Sequence, residues 1–261
     1  MTALRAAIKR LTLITMLAGV LPVYGSECMS MHVIDNAPMG YIDANGQPTG
    51  VHWEYLAAIE NKSGVCINKK LLPYSRLWAS LAAGTHDGGI IFRSPDRDYL
   101  IEAVALIRTL QTAVIPRKGI TINTYDDLKG LIIGKTRGTQ LSDRFDTDDT
   151  LKKYKLNHYQ QAAKMIRAGR LDAAAGSDAV LHYQLAKYGA IQYVDLQGSF
   201  NLGYREQWLQ LSKKSKHLDK IEALNKAITA LRTEGVLNAI IDKYYGFSFS
   251  ENLKGSVYFK P

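Results

Sequence analysis

The sequence predicts an α/β protein: a mostly parallel sheet with helices on its faces. Two observations carry this. Apolar runs of strand length alternate with segments whose apolar residues recur at helical spacing, and the β-α-β-α-β series over 29–92 is followed by a second α/β series over 113–194. A third observation concerns the N-terminus. Arg5, Lys9 and Arg10 precede an apolar run over 11–21, and Val23 and Gly25 suit the −3 and −1 positions of a small-residue cleavage site. Residues 1–25 therefore read as a secretory signal peptide, because the run is too short to cross ~30 Å of hydrocarbon. No later segment approaches the ~20 apolar residues of a membrane span, so the mature chain is expected to be soluble.

In order, 29–34 reads as a strand. Residues 36–50 form a loop with turn signals at Pro38, Gly40 and Asn45-Gly46. Residues 52–62 carry Trp53, Leu56, Ala57 and Ile59 at helical spacing, 65–72 is a strand, 75–83 a helix stopped by Gly84, and 88–92 a strand. The second series comprises a short strand at 113–115, a helix begun by a Thr124 cap, a strand at 131–134, a helix from Gln140, a helix at 160–168, a strand at 171–175, a helix at 178–188 and a strand at 191–194. Residues 204–211 alternate like a strand, and 218–245 carry a long amphipathic pattern broken at Gly235.

Composition narrows the function. The formal charge is +9, but three of those charges lie in the leader and the rest are spread out, with local sets such as Lys213, Lys214 and Lys216. No basic helix interleaved with aromatics appears, so no nucleic-acid partner is expected. The positive balance suits attraction of anionic small molecules. The six histidines are scattered without metal-ligand spacing, and neither half has a nucleotide-binding glycine pattern, so no metal or cofactor is expected. Cys28 and Cys66, exported as a pair, read as a disulfide, with two inert buried thiols as the alternative. Cys28 opens the first strand and Cys66 lies near the start of the second, so the pairing agrees with the expected topology.

The chemistry concentrates after the third strand, in Phe92, Arg93, Ser94, Pro95, Asp96 and Arg97. Loops at strand C-termini form the ligand crevice of open α/β sheets, and guanidinium groups grip carboxylates bidentately. The same residues could be an ordinary solvated loop in which the arginines pair with Asp96 or Asp98.

Six segments in order resemble the family 3 periplasmic solute-binding proteins of the type II amino-acid-binding class. Pro38, Met39, Gly40 and Tyr41 through the 45–50 turn resemble the family's opening loop. Leu81 to Gly84 with Asp87 and Gly88 resemble its L-x-x-G-x-x-D junction, and Ser94, Pro95, Asp96 and Arg97 its T-P-E-R motif. Leu128, Lys129 and Gly130 with Arg137, Gly138 and Thr139 resemble LKGKxVGVxxGT. Ile166 with Gly169, Arg170, Leu171, Asp172 and Ala173 resembles L-x-x-GRxDA, and Leu224 to Ala227 with Glu234 and Gly235 resemble its closing helix. Together they cover nearly all of 29–247.

The resemblance implies a two-lobed type II periplasmic-binding-protein fold, each lobe a mostly parallel sheet flanked by helices, joined by two hinge strands. Lobe 1 would comprise 26–113 plus 206–261 and lobe 2 114–205, with hinges near 113–117 and 203–207. It further implies a monomeric periplasmic binder without catalysis, which grips a small anionic or zwitterionic solute, an amino acid or a relative, and presents the closed form to an inner-membrane permease for ABC-type uptake. Arg97 would hold the ligand α-carboxylate, with Arg93 as the alternative. Ser94 would donate a hydroxyl, and Thr139, with Gly138, would lie at a helix N-terminus whose free backbone N–H groups favour an anion, or be a helix cap alone. Tyr74 and Phe92 would wall the ligand side chain, or belong to the core. The family's ammonium-binding Asp position holds Ser177 here, with Asp178 one step later, either in that role or as a helix cap. The aromatic before the opening proline is replaced by Asn36 and Ala37. His52 and His86 are expected to be structural and Glu54 solvated. Two other functions fit the same resemblance: a sensory module signalling to a membrane partner, and a cyclohexadienyl-dehydratase-like enzyme using Glu206, His52 or Asp178.

Overall fold

The computed structural model describes residues 27–245. The expected signal peptide at 1–25 and the tail from 246 lie outside the described residues. Among the described residues ten strands form in chain order: β1 (Met29–Ile34), β2 (Tyr41–Ile42), β3 (Pro48–Thr49), β4 (Ile67–Leu72), β5 (Gly88–Phe92), β6 (Ile101–Pro116), β7 (Ile132–Thr136), β8 (Lys152–Leu156), β9 (Ala173–Ser177) and β10 (Phe200–Ser212). Seven α-helices intervene: α1 (Val51–Ser63), α2 (Tyr74–Ala83), α3 (Asp143–Thr147), α4 (Tyr159–Arg167), α5 (Asp178–Lys187), α6 (Ile221–Thr233) and α7 (Val236–Tyr245).

Eight strands make one sheet in the order β4-β1-β5-β10-β6-β9-β7-β8. Its two flanks are parallel trios, β4-β1-β5 and β9-β7-β8. Between them β10 and β6 run antiparallel to each other over almost their whole lengths and tie the trios together. Helices bury apolar stripes against the sheet. In α6 these are Leu224, Ala227, Ile228 and Leu231, one helical face at i, i+3, i+4 and i+7. The main core cluster runs from Met29, Val33 and Leu56 to Leu156, Ile166 and Leu181. A second, around Val114, Leu128, Ile133 and Phe145, fills the space beneath β7 and β9.

Cys28 and Cys66 form a disulfide just before β1 and β4, beside the hydrogen bond from the Met29 N–H to the Cys66 carbonyl (2.9 Å). This pairing follows the sequence expectation.

Several local expectations are corrected. The short strand at 113–115 is the end of β6, which is 16 residues long. Its register against β10 shifts three times, so polar Arg108 and Thr112 fall on buried positions and the alternation is hidden. β8 went unseen because Lys152, Lys153 and Lys155 fill an edge strand, where lysine guards against further pairing. The expected strand at 191–194 is a 3-10 turn (Ile191–Tyr193) with a single bridge from Val194 to Arg117. The expected helix at 124 is a short 3-10 turn closed by a Thr124–Asp127 capping box. The helix expected from Gln140 starts at Asp143, capped by the Ser142 hydroxyl.

Candidate functional site

All six flanking strands point their C-terminal ends at one cavity of about 330 Å³. From the first trio come Ile34 and Asp35 after β1, Pro73 and Tyr74 after β4, and Phe92 ending β5. From the second come Thr136 and Arg137 at β7, Asn157 and His158 after β8, and Ser177 ending β9. Met39 of the opening loop and Gln207 of β10 complete the floor. Such a crevice is the ligand site an open α/β sheet creates, and its size is at the small-molecule end of protein pockets.

Side chains bridge the two flanks around this cavity. The Gln140 amide donates to Asp96 at 3.3 Å, and the Gln184 amide donates to the Ala37 carbonyl. Gly138, at φ 79, leaves Tyr74 room to lie over it. A Cβ there would come within 3.3 Å of the Tyr74 ring, so both the backbone and the close approach call for glycine.

On the second flank, Tyr159 lies flat against Gly176. A Cβ on Gly176 would meet the Tyr159 ring at 2.4 Å. The Tyr159 hydroxyl accepts the Ser177 N–H at 3.2 Å, and burial raises this phenol to about 12. The His158 ring caps α4 by accepting the Gln161 N–H at 3.3 Å. α2, α4 and α5 all begin at the cavity, so their N-terminal ends favour a bound negative group. Two lining hydroxyls, Thr136 Oγ1 and Ser177 Oγ, are buried without a hydrogen-bond partner. A buried hydroxyl without a partner is costly unless something arrives to use it.

The residues singled out from sequence divide into two groups. Tyr74, Phe92 and Thr139 line the cavity, and the Thr139 hydroxyl donates to the Thr136 carbonyl at 2.7 Å, closing the turn after β7. Burial raises the Tyr74 phenol, with the charges of Arg97 and Arg205 opposing. Arg93, Ser94, Arg97 and Asp178 sit beside the cavity rather than on its lining. Arg97 stacks over the Trp78 ring at 4.1 Å, faces Asp96 at 3.9 Å, and has one buried Nη without a partner. Arg93 is more exposed, 3.3 Å from Asp98 and 5.5 Å from the Trp208 ring. The buried Ser94 hydroxyl donates to Asp96, which holds that carboxyl below its usual range. Asp178 opens α5, and burial pushes its carboxyl up against the pull of His182.

His52 is fully buried, Glu206 accepts from the Trp208 indole at 2.9 Å, and Glu54 pairs with Lys243 at 2.6 Å. Asn157, His158, Tyr159, Thr136 and Gln207 were not foreseen. The first three follow the unseen β8, and the only available signal was a His-Tyr pair heading a helix.

The sequence profile of the bacterial extracellular solute-binding proteins, family 3, matches residues 31–247. The chain belongs to that family. Among curated family members it is similar to the probable amino-acid-binding protein YxeM of Bacillus subtilis (strain 168), 27% identical over 214 residues, 80% of each chain. Two of the solved structures that share the fold serve as examples. One is an ancestral arginine-binding protein bound to arginine (TM-score 0.68, 22% identity, 84% of this chain and 98% of that one). The other is the solute receptor for L-cysteine of Neisseria gonorrhoeae (TM-score 0.69, 20% identity, 83% and 89%). The fold they share is the mixed α/β sheet flanked by helices described above. Within it, this chain places Ser177 on the cavity lining and Asp178 behind it.

Proposed function

We propose that this protein captures an amino acid or a related small carboxylate-bearing solute between two lobes and does not transform it. The observation that carries this reading is a cavity walled by the C-terminal ends of both parallel trios. Lobe 1 is 26–113 plus 206–261 and lobe 2 is 114–205. The crossing strands β6 and β10 act as the hinge, and closure brings Tyr74 against Gly138 and Asp96 to Gln140. The amino-acid-binding relatives support the ligand class.

In this reading Arg97 swings from Trp78 to grip the α-carboxylate, Arg93 being its substitute, and Ser94 and Thr139 add donors. Tyr74 and Phe92 wall the side chain, and Asp178 or Ser177 meets the ammonium. Residues 1–25 are removed on export, the mature monomer works in the periplasm, and its closed form is offered to an ABC-type permease.

The test is thermal shift on refolded, ligand-stripped protein. The panel is the amino acids, small di- and tricarboxylates and prephenate, repeated on Arg97→Met and Arg93→Met. A solute at ~100 times its Kd adds about 2.7 kcal/mol. The expected outcome is a shift with an amino acid or carboxylate, lost in Arg97→Met. A null result across the panel removes the capture reading, and turnover of prephenate replaces it with catalysis.

A second expected outcome isolates the unpaired hydroxyls. Thr136→Val should leave apo stability unchanged or higher, since no hydrogen bond is lost, yet weaken the solute by roughly 10-fold, the value of about 1.5 kcal/mol for a hydrogen bond. Calorimetric titration with unchanged Kd would mean that Thr136 does not touch the solute.

A further inference from the structure

A buried cation stands directly behind the cavity floor. Arg108 of β6 is 2% exposed. It pairs across the strands with Gln207, which pairs in turn with Phe92 of β5. Paired residues of antiparallel strands project to the same face, so all three point the way the cavity faces. The Arg108 Nε donates to Gln207 Oε1 at 2.6 Å, and one Nη lies 2.9 Å from the Met39 sulfur. The other Nη has no partner. Both Gln207 and Met39 line the cavity. Arg108 is thus one side chain away from a bound solute.

Its neighbours are an aromatic ring, an imidazole and a thioether. The Tyr55 ring centre is 5.9 Å from the guanidinium carbon. The Tyr55 hydroxyl donates to the Leu237 carbonyl at 3.0 Å, and its oxygen also faces the Arg108 guanidinium. His52 is kept neutral, burial first and the Arg108 charge second pushing it well below its usual value. Among the described residues no carboxylate pairs with Arg108. A buried guanidinium without an anion is costly, and a thioether is a weak acceptor that a better one displaces. Met39 is unbranched and can swing aside with little loss of packing.

We infer that Arg108 is the receptor for a second, distal anionic group of the solute, which enters between Met39 and Gln207 and takes the guanidinium's unpaired Nη and the one now resting on sulfur. The cleft therefore selects a solute with two acidic groups, such as an acidic amino acid or a small dicarboxylate, over its amide or its cationic counterpart. Gln207 is a positioning residue: its carbonyl holds Nε and so orients the fork. This inference rests on solute capture in the cavity.

The experiment is calorimetric titration of the refolded full-length mature protein with glutamate, glutamine, aspartate, asparagine and arginine, on the wild type, Arg108→Met, Arg108→Lys and Gln207→Leu. The wild type should prefer each acid over its amide by about 10- to 100-fold, the range for a charged hydrogen-bonded pair. Arg108→Met should bring that preference to within about 2-fold, and its apo melting temperature should rise, because an uncompensated buried charge is gone. Arg108→Lys should retain part of the preference, which a packing role would not do. Gln207→Leu should lower it without abolishing it.

A wild type that binds the amides or arginine as well as the acids overturns the inference and leaves solute capture standing. So does an acid preference that persists in Arg108→Met. If Arg108→Met does not fold, an Arg108→Lys protein with a reduced acid preference and undiminished affinity for the amides supports the assignment, and one with the full wild-type preference overturns it. Binding of none of the five, nor of any solute in the wider panel, overturns both readings together.

Discussion

Replacing Cys28 and Cys66 by serine should lower the melting temperature by roughly 8–16 °C. The bridge closes a loop with a sequence separation of 38. Removing that constraint from the unfolded chain costs about 4 kcal/mol in the loop-entropy account, and a chain of this length moves roughly 2–4 °C for each kcal/mol. Position adds to the effect. β4 is an edge strand whose neighbour in the sheet is β1, and the bridge lies at the N-terminal ends of these two strands. The cavity is lined from their C-terminal ends, at Ile34, Asp35 and Pro73. Solute affinity at 25 °C should therefore change little while stability falls. Differential scanning calorimetry of the double serine variant and of the reduced wild type checks this. A loss under about 1 kcal/mol in both would show that the unfolded chain gains little freedom when the bridge is absent.

Acidification should destabilise the protein well before its carboxylates are protonated. His32 in β1 is 1% exposed, and burial lowers its imidazole to about 4, helped by His86 and opposed by the hydrogen bond to the Leu72 carbonyl. The ring nitrogen facing Leu72 is 3.1 Å from that carbonyl and carries the single proton of a neutral ring, while the other nitrogen is buried without a partner.

A base held neutral in the folded state binds fewer protons there than in the unfolded chain, so stability rises with pH. The contribution is complete above the unfolded value of 6.5 and is lost as pH falls from there toward about 4. Between pH 7 and pH 5 it amounts to about 2 kcal/mol. His52 acts in the same direction, held neutral by burial and by Arg108. Urea unfolding at pH 7 and pH 5 should show the loss, and His32→Gln, which can still donate to Leu72, should remove about 2 kcal/mol of the difference. An unchanged difference in that variant would place the acid sensitivity elsewhere.

Much of the molecule was legible in the chain. Strands β1 and β5 and helices α1, α2, α4 and α5 announce themselves, because a strand buried on both faces is a continuous apolar run and a half-buried helix carries a stripe. The disulfide was legible for a different reason: export and an even count left little else for two cysteines to do. The candidate site was legible only where a motif ended a visible strand. Tyr74, Phe92 and Thr139 were found that way. Asn157, His158 and Tyr159 were not, because the lysines of β8 masked the strand that delivers them.

By itself, the order of strands, helices and turn residues determined the fold class and the family. Those properties rest on local periodicity and on short motifs, and both are written in consecutive residues. Only the tertiary structure decided which side chains share the cavity. It brought Gln207 from β10 beside Met39 from the opening loop, and it put Arg108 behind them, paired with no carboxylate among the described residues. The physical reason is that β6 pairs with β10 across a chain separation of 99 residues, through register shifts that turn a polar residue inward. No local pattern encodes the register of two strands so far apart. It is set by the packing of the whole sheet, and the unpaired charge exists only once that sheet has formed.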